Sequence, residues 1–261
     1  MTFHVKIPFS KKWHLAIKMI PLLIGILLLK IALHTLGWEV IMLNALFTSL
    51  IAATIFLIGF LISGVIADYK ESEKLPGELA ASLEAMYDEA YLLHKKKNNE
   101  VTAGFMSHYK NFLSAIQDWF YRRERTRSLL EKVQAMNDHF SEFEPLMQAN
   151  FLSRMKTEQN NIRKMILRID HIRDVSFISS AYAIVEALCF FVIVGLLLMQ
   201  GDPFYESLFF TLVVSFLVIY MVLLIKDLDN PFDYSTHGES GTEVSLKAIH
   251  DLTERILGKK G

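Results

Sequence analysis

The sequence predicts an all-α membrane protein in which four transmembrane helices accompany a helical cytoplasmic insert. Three observations carry this. The 261 residues are 52% hydrophobic by a broad count and still 21% charged, so the two kinds must be segregated along the chain, as in a membrane protein with a large soluble part. Four stretches reach the roughly 20 mostly apolar residues needed to cross a bilayer. Between the second and third stretch, apolar residues recur at helical spacing and nowhere alternate as they do in strands.

The N-terminus, "MTFHVKIPFSKKWHLAIKMIPLLIGILLLKIALHTLGW", has a basic start and an apolar middle without a small-residue cleavage pattern, which reads as an uncleaved signal anchor. The first span, 17–36, contains Lys30 and His34 near its far end. A lysine at that depth is expected to extend its ammonium group to the headgroup region. The second span, 40–67, and the fourth, 207–225, carry no charge, whereas the third, 175–199, holds Glu186. Three roles are open for Glu186: structural pairing, influence on a pore or vestibule, or a position nearer the membrane surface than the span suggests.

Lys6, Lys11 and Lys12 precede the first span and Lys18 lies at its start, while the links after the first and third carry only Glu39, Asp202 and Glu206. The bias places both termini and the insert on the cytoplasmic side of a multi-pass cell-membrane protein, the inner membrane if it is bacterial. The expected division is 1–67 for the N-terminal tail and first two spans, 68–174 for the cytoplasmic domain, 175–227 for the last two spans and 228–261 for a cytoplasmic tail.

In the insert, Leu75, Leu79, Leu83, Met86 and Ala90 share one helical face, as do Phe105, Tyr109, Phe112, Ile116, Trp119 and Phe120, so three or four amphipathic helices are expected. Pro76, Gly104 and Pro145 mark turns or helix starts. The tail ends in a short amphipathic helix within "VSLKAIHDLTERILGKK".

A net charge of -1 removes nucleic acid from the expected partners. Cys189 is the single cysteine, so it forms no internal disulfide and reads as a small buried hydrophobe. His94, His108, His139 and His171 lack metal-ligand spacing, and neither a Gly-rich phosphate loop nor a zinc-binding helix motif occurs. No enzyme, cofactor or metal is therefore expected. The "HKKK" run from His94 to Lys97 reads as a solvated helix end.

The second span has more to offer. Ala52, Phe56 and Phe60 fall at i, i+4 and i+8, one stripe of a helix, with Gly59 and Ser63 on neighbouring faces. Spacing alone leaves two readings: packing against lipid or other helices, or a hydrophobic constriction formed when several copies set the stripe around one axis.

Here the residues resemble the bestrophin family over most of the chain. "FLIGFLISGVIADYKESEKLP" (56–76) is similar to the family's neck helix and its charged exit; "IDHIRDVSFISSAY" (169–182) resembles its Arg-containing entry to the third span; "LIKDLDNPFDY" (224–234) is similar to the acidic-Pro-Phe motif after the fourth. "EVSLKAIHDLTERIL" resembles the segment that follows. Each motif is weak alone, and their order and spacing make the combination specific.

The resemblance implies a homo-oligomeric, pentameric ion channel in the lipid bilayer, with monovalent ions permeating a neck lined by the second span. It places Phe56 and Phe60 at the two neck phenylalanine positions and Ala52 where the family has an isoleucine. It assigns a lower restriction to Phe177, with Ile178 the alternative if the alignment slips by one. It also implies a departure: animal members gated by calcium carry a dense acidic cluster after Asn-Pro-Phe, whereas "DYSTHGES" offers only Asp233 and Glu239. A calcium site needs six or more oxygen ligands, so no high-affinity calcium clasp is expected. The nearly balanced charge leans slightly toward chloride-like anions; a cation channel and a non-conducting membrane scaffold or sensor are the alternatives.

Overall fold

Each apolar run forms a helix long and apolar enough to cross a membrane. The computed structural model describes residues 13–174, 179–234 and 243–258. The four long helices are α1 (His14–Thr35), α2 (Ala45–Ser72), α7 (Ser179–Leu197) and α8 (Phe204–Leu228); between α2 and α7 lie α3 (Leu75–Lys97), α4 (Glu100–Phe120), α5 (Thr126–Phe143) and α6 (Ala149–Asp174), and α9 (Lys247–Leu257) follows α8. Exposed Trp13 and Trp38 bracket α1, at the two levels where amphipathic indole rings favour a membrane interface.

These helices divide into two compact units, one built from α1, α2 as far as Tyr69, α7 and α8, the other from α3 to α6 and α9. In the membrane unit, Ile58, Leu61 and Val65 of α2 pack with Val185 and Cys189 of α7 and Val218 and Ile225 of α8. Cys189 is buried there as a hydrophobe. A second cluster joins Phe47 to Val192, Leu196 and Met199.

One local feature departs from the expectation of helices alone. Ile41–Met42 (β1) pairs in parallel with Met199–Gln200 (β2), Ile41 opposite Met199. The two links leave their helices side by side, and a two-residue ladder satisfies backbone groups that no helix serves at that point.

Gly195 is required by a close approach. A Cβ there would overlap the Phe47 ring. Gly195→Ala is expected to lower the stability of the detergent-solubilised protein by about 1–3 kcal/mol through overpacking, and Phe47→Leu in the same chain should recover part of it. A thermal midpoint unmoved by Gly195→Ala would exclude this packing.

The second unit has the expected amphipathic helices. Leu75, Leu79, Leu83, Met86 and Ala90 are buried on α3, and Phe105, Tyr109, Phe112, Ile116, Trp119 and Phe120 on α4. The buried Tyr109 hydroxyl donates to the Leu83 carbonyl at 2.5 Å, and burial pushes its pKa well above the usual 10.0. Adjacent asparagines make the turn between these helices: Asn98 closes α3 in the left-handed conformation at φ 43°, and Asn99 caps α4 by accepting from the Thr102 N–H at 3.0 Å. Pro76 sits in the first turn of α3 and Pro145 in the turn before α6.

Gly104 marks neither a turn nor a helix start; it lies inside α4. A Cβ there would meet only His139 Cε1, at an ordinary 3.8 Å, and packing of the aromatic face outweighs the roughly 1 kcal/mol helix penalty of one glycine.

Arg173, near the end of α6, closes the other end of α4. Its guanidinium donates to the carbonyls of Trp119 and Phe120 at 3.2 and 3.0 Å and lies 4.4 Å from the Trp119 ring centroid. Burial, then the charge of Arg122, bring its pKa down to about 10, so the group stays cationic at neutral pH. Arg173→Met should cost about 1.5–3 kcal/mol, the scale of charge-assisted hydrogen bonds, read as earlier loss of near-ultraviolet dichroism from Trp119; an unaltered melt would count against the cap.

Helix α9 is docked. Ile249, Leu252, Thr253 and Ile256 are buried, the helix packs on α3 and α4, and Arg255 meets Glu84 at 2.5 Å.

Candidate pore-lining face

Helix α2 separates into two faces. At about 100° per residue, Ser49, Ala52, Phe56, Phe60, Ser63 and Ala67 fall along one side, and Phe47, Thr54, Ile58, Leu61 and Val65 along the opposite side. The second set is buried within the unit, and the first, with Gly59, is exposed. Phe56 and Phe60 are 72% and 75% accessible. The face has no ionisable group between Ala45 and Ala67, so what it presents is ring surface, small side chains and the Ser49 and Ser63 hydroxyls. Ser49 Oγ is occupied by the Ala45 carbonyl at 2.7 Å. Such a surface repels a hydrated ion unless water fills the space beside it. Phe177 and Ile178 lie outside the described residues.

The charges of the membrane unit are placed elsewhere. Lys30 does not extend to the headgroups: it is 0% exposed, with Nζ 2.7 Å from Glu39 Oε1 and donating to the carbonyls of Met199 and Leu197 at 2.5 and 3.2 Å. The buried acceptors surrounding it replace water, which an ammonium otherwise has to reach. His34 Nδ1 lies 2.8 Å from the other Glu39 oxygen, and its ring stacks on Phe204 at 3.8 Å. Burial pushes the Glu39 carboxyl up, but the hydrogen bonds from His34 and Lys30 and their charges outweigh it, and the pKa lies below the usual 4.5. Glu186 pairs with Lys226 at 2.6 Å, both side chains about half exposed.

No family model and no curated protein matches the chain, whereas solved structures do. A point-mutant form of a bacterial bestrophin homolog from Klebsiella pneumoniae superposes with a TM-score of 0.75 at 15% identity, covering 94% of this chain and 98% of its own. Another point mutant of the same organism's homolog gives 0.71 at 17% identity, covering 92% and 98%. A structure of that homolog phased with zinc gives 0.73 at 15%, covering 93% and 100%. The chain has the bestrophin fold.

Within this bestrophin fold, the segment after α8 makes a defined turn. The Asp233 N–H donates to the Asn230 carbonyl at 3.3 Å, Val244 N–H donates to Pro231 at 2.9 Å, and the Tyr234 hydroxyl donates to Val244 at 2.7 Å. Phe232 is buried and Asp233 exposed; Glu239 lies outside the described residues. Among the described residues, no three His, Cys, Asp or Glu side chains assemble as a metal cage.

Sequence reasoning missed the pairing of Lys30 with Glu39. The signal was present, because one lysine within an apolar run and one acid in the short link after the same span lie nine positions apart. Lys226 was missed for a different reason: it falls just beyond the fourth apolar run, so its nearness to Glu186 arises only once α7 and α8 pack together.

Proposed function

We propose that this membrane protein is a homo-oligomeric, pentameric ion channel, not an enzyme, in which α2 of each copy lines a hydrophobic neck. Phe56 and Phe60 form the narrow rings, Ala52 a wider ring one turn away, and Gly59 and Ser63 flank them. Phe177, or Ile178, forms a second restriction on the cytoplasmic side, where both termini also lie. The observation that carries this reading is the exposure of Phe56 and Phe60 on the side of α2 opposite its packed face, in a chain with the bestrophin fold.

Chloride-like anions are slightly favoured as the permeant species, with a cation channel the alternative. Phenylalanine edges face anions and phenylalanine faces attract cations, so ring orientation in the assembly decides. A scaffold reading is weaker because α9, one of the surfaces it would use, is docked against α3 and α4. Purified protein in planar bilayers should give single-channel currents whose reversal potential under a salt gradient identifies the ion class. Native mass spectrometry should return five copies. Electrical silence from a preparation that is folded and pentameric would overturn the channel reading, and a monomer or dimer would overturn the shared neck.

A further inference from the structure

The second unit contains a cleft that the channel reading does not use. It has a volume of about 360 Å³ and lies between the C-terminal half of α3 and the turn leading into α6. That is at the small end of the range for ligand sites, roughly 300–1,000 Å³. Its walls are mixed, the apolar part being the larger: Leu93 and Met147 contribute to the lining, and Leu92 and Phe151, on opposite helices, are large side chains left exposed at its sides. Leu92 and Phe151 thus converge on one concavity from two helices.

The polar groups are unequal in charge. Glu89 lines the cleft, but its carboxylate is held 2.9 Å from Arg154 Nη1, which neutralises it. Lys96 also lines it, is exposed, and among the described residues has no carboxylate within ion-pair distance. Lys95 and Lys97 flank it in the last turn of α3. Gln148 adds an amide at the point where α6 begins, the positive end of a 26-residue helix dipole. An apolar floor with a cationic rim complements a molecule with an apolar body and one negative end.

We propose that this cleft binds an anionic amphiphile, a medium-chain carboxylate of about ten carbons given the cavity's size, with its chain against Leu92, Met147 and Phe151 and its carboxylate at Lys96 and the Gln148 amide. The charge gives direction, and the apolar walls supply affinity, about fourfold per methylene buried.

The test uses the full chain in lipid nanodiscs and a decanoic acid carrying a photoreactive diazirine at its far end. Labelling should saturate, map by peptide mass spectrometry to the segments bearing Leu92, Met147 and Phe151, and be competed by decanoate at least tenfold better than by decanol. Lys96→Gln, at an exposed position that keeps the fold, should weaken labelling at least tenfold, and Leu92→Gln should do the same from the apolar side. Label confined to α1, α2, α7 and α8 would overturn the site as mere partition into the bilayer. Cleft labelling competed equally by decanol and unchanged in Lys96→Gln would overturn recognition of the carboxylate. A second copy or a protein partner seated over Leu92 and Phe151 would leave the cleft segments unlabelled at saturating probe, and would overturn it as well.

Discussion

If α2 lines the proposed pore, replacing Phe56 and Phe60 together with alanine is expected to raise the open probability of the reconstituted protein by about tenfold or more, corresponding to some 1.4 kcal/mol removed from the barrier. Both side chains stand on the exposed face of α2. Its rings carry no charge and offer an ion nothing in exchange for its water, so the proposed neck would conduct only when wet. Removing two rings from every copy widens the passage and lowers the cost of filling it. Each single substitution should have a smaller effect, because the other ring remains. Ala52→Ile tests the same idea in the opposite direction, since a larger side chain one turn away should narrow the passage and reduce current. Single-channel recording measures all of these, and wild-type gating in the double variant would remove α2 from the pore.

Lys30→Met should be the most destabilising single change in the membrane unit. Breaking a buried ion pair by removing one partner costs about 3–5 kcal/mol because the other charge is left uncompensated, and here the carbonyls of Leu197 and Met199 lose their donor too. The thermal midpoint in detergent should fall by roughly 6–20 °C at the usual few degrees per kcal/mol. Glu39→Gln should cost less, since its amide still accepts from Lys30, and the double variant Lys30→Met with Glu39→Gln should be more stable than Lys30→Met alone.

The pH dependence has a definite sign. Because the Glu39 pKa is lowered from 4.5 on folding, its contribution is complete above that value and is lost as pH falls through the folded pKa. Glu39→Gln should therefore flatten the acid limb of the stability profile. An acid limb identical to wild type would show that other carboxylates produce it.

Much of the architecture was legible because membrane helices and aromatic-faced soluble helices both have strong periodic signals. Phe105, Tyr109, Phe112, Ile116, Trp119 and Phe120 are spaced so that only a helix buries all of them, and the helix does. The stripe at Phe56 and Phe60 was legible as a stripe. Its exposure within the protomer was not, because spacing identifies a common side and cannot say what meets it. The placement of Lys30 was misread for a related reason. Hydropathy along one helix says how far an ammonium lies from the bilayer edge, but not that the end of α7 and the link after it bring two carbonyls, and the link after α1 a carboxylate, to it. Likewise Gly104 looked like punctuation in isolation and lies inside α4, near His139, in the fold.

The docking of α9 has a consequence for biogenesis. The soluble unit is discontinuous in the chain: α3 and α4 emerge from the ribosome early, while Phe232, Tyr234 and the buried side of α9 are made only after α8. Nascent chains generally fold unit by unit as they appear, but this unit lacks part of its core until all four spans have been synthesised. Its closure is thereby coupled to completion of the membrane unit, and an arrested chain ending at α8 would present the uncovered sides of α3 and α4 to quality-control proteases and chaperones.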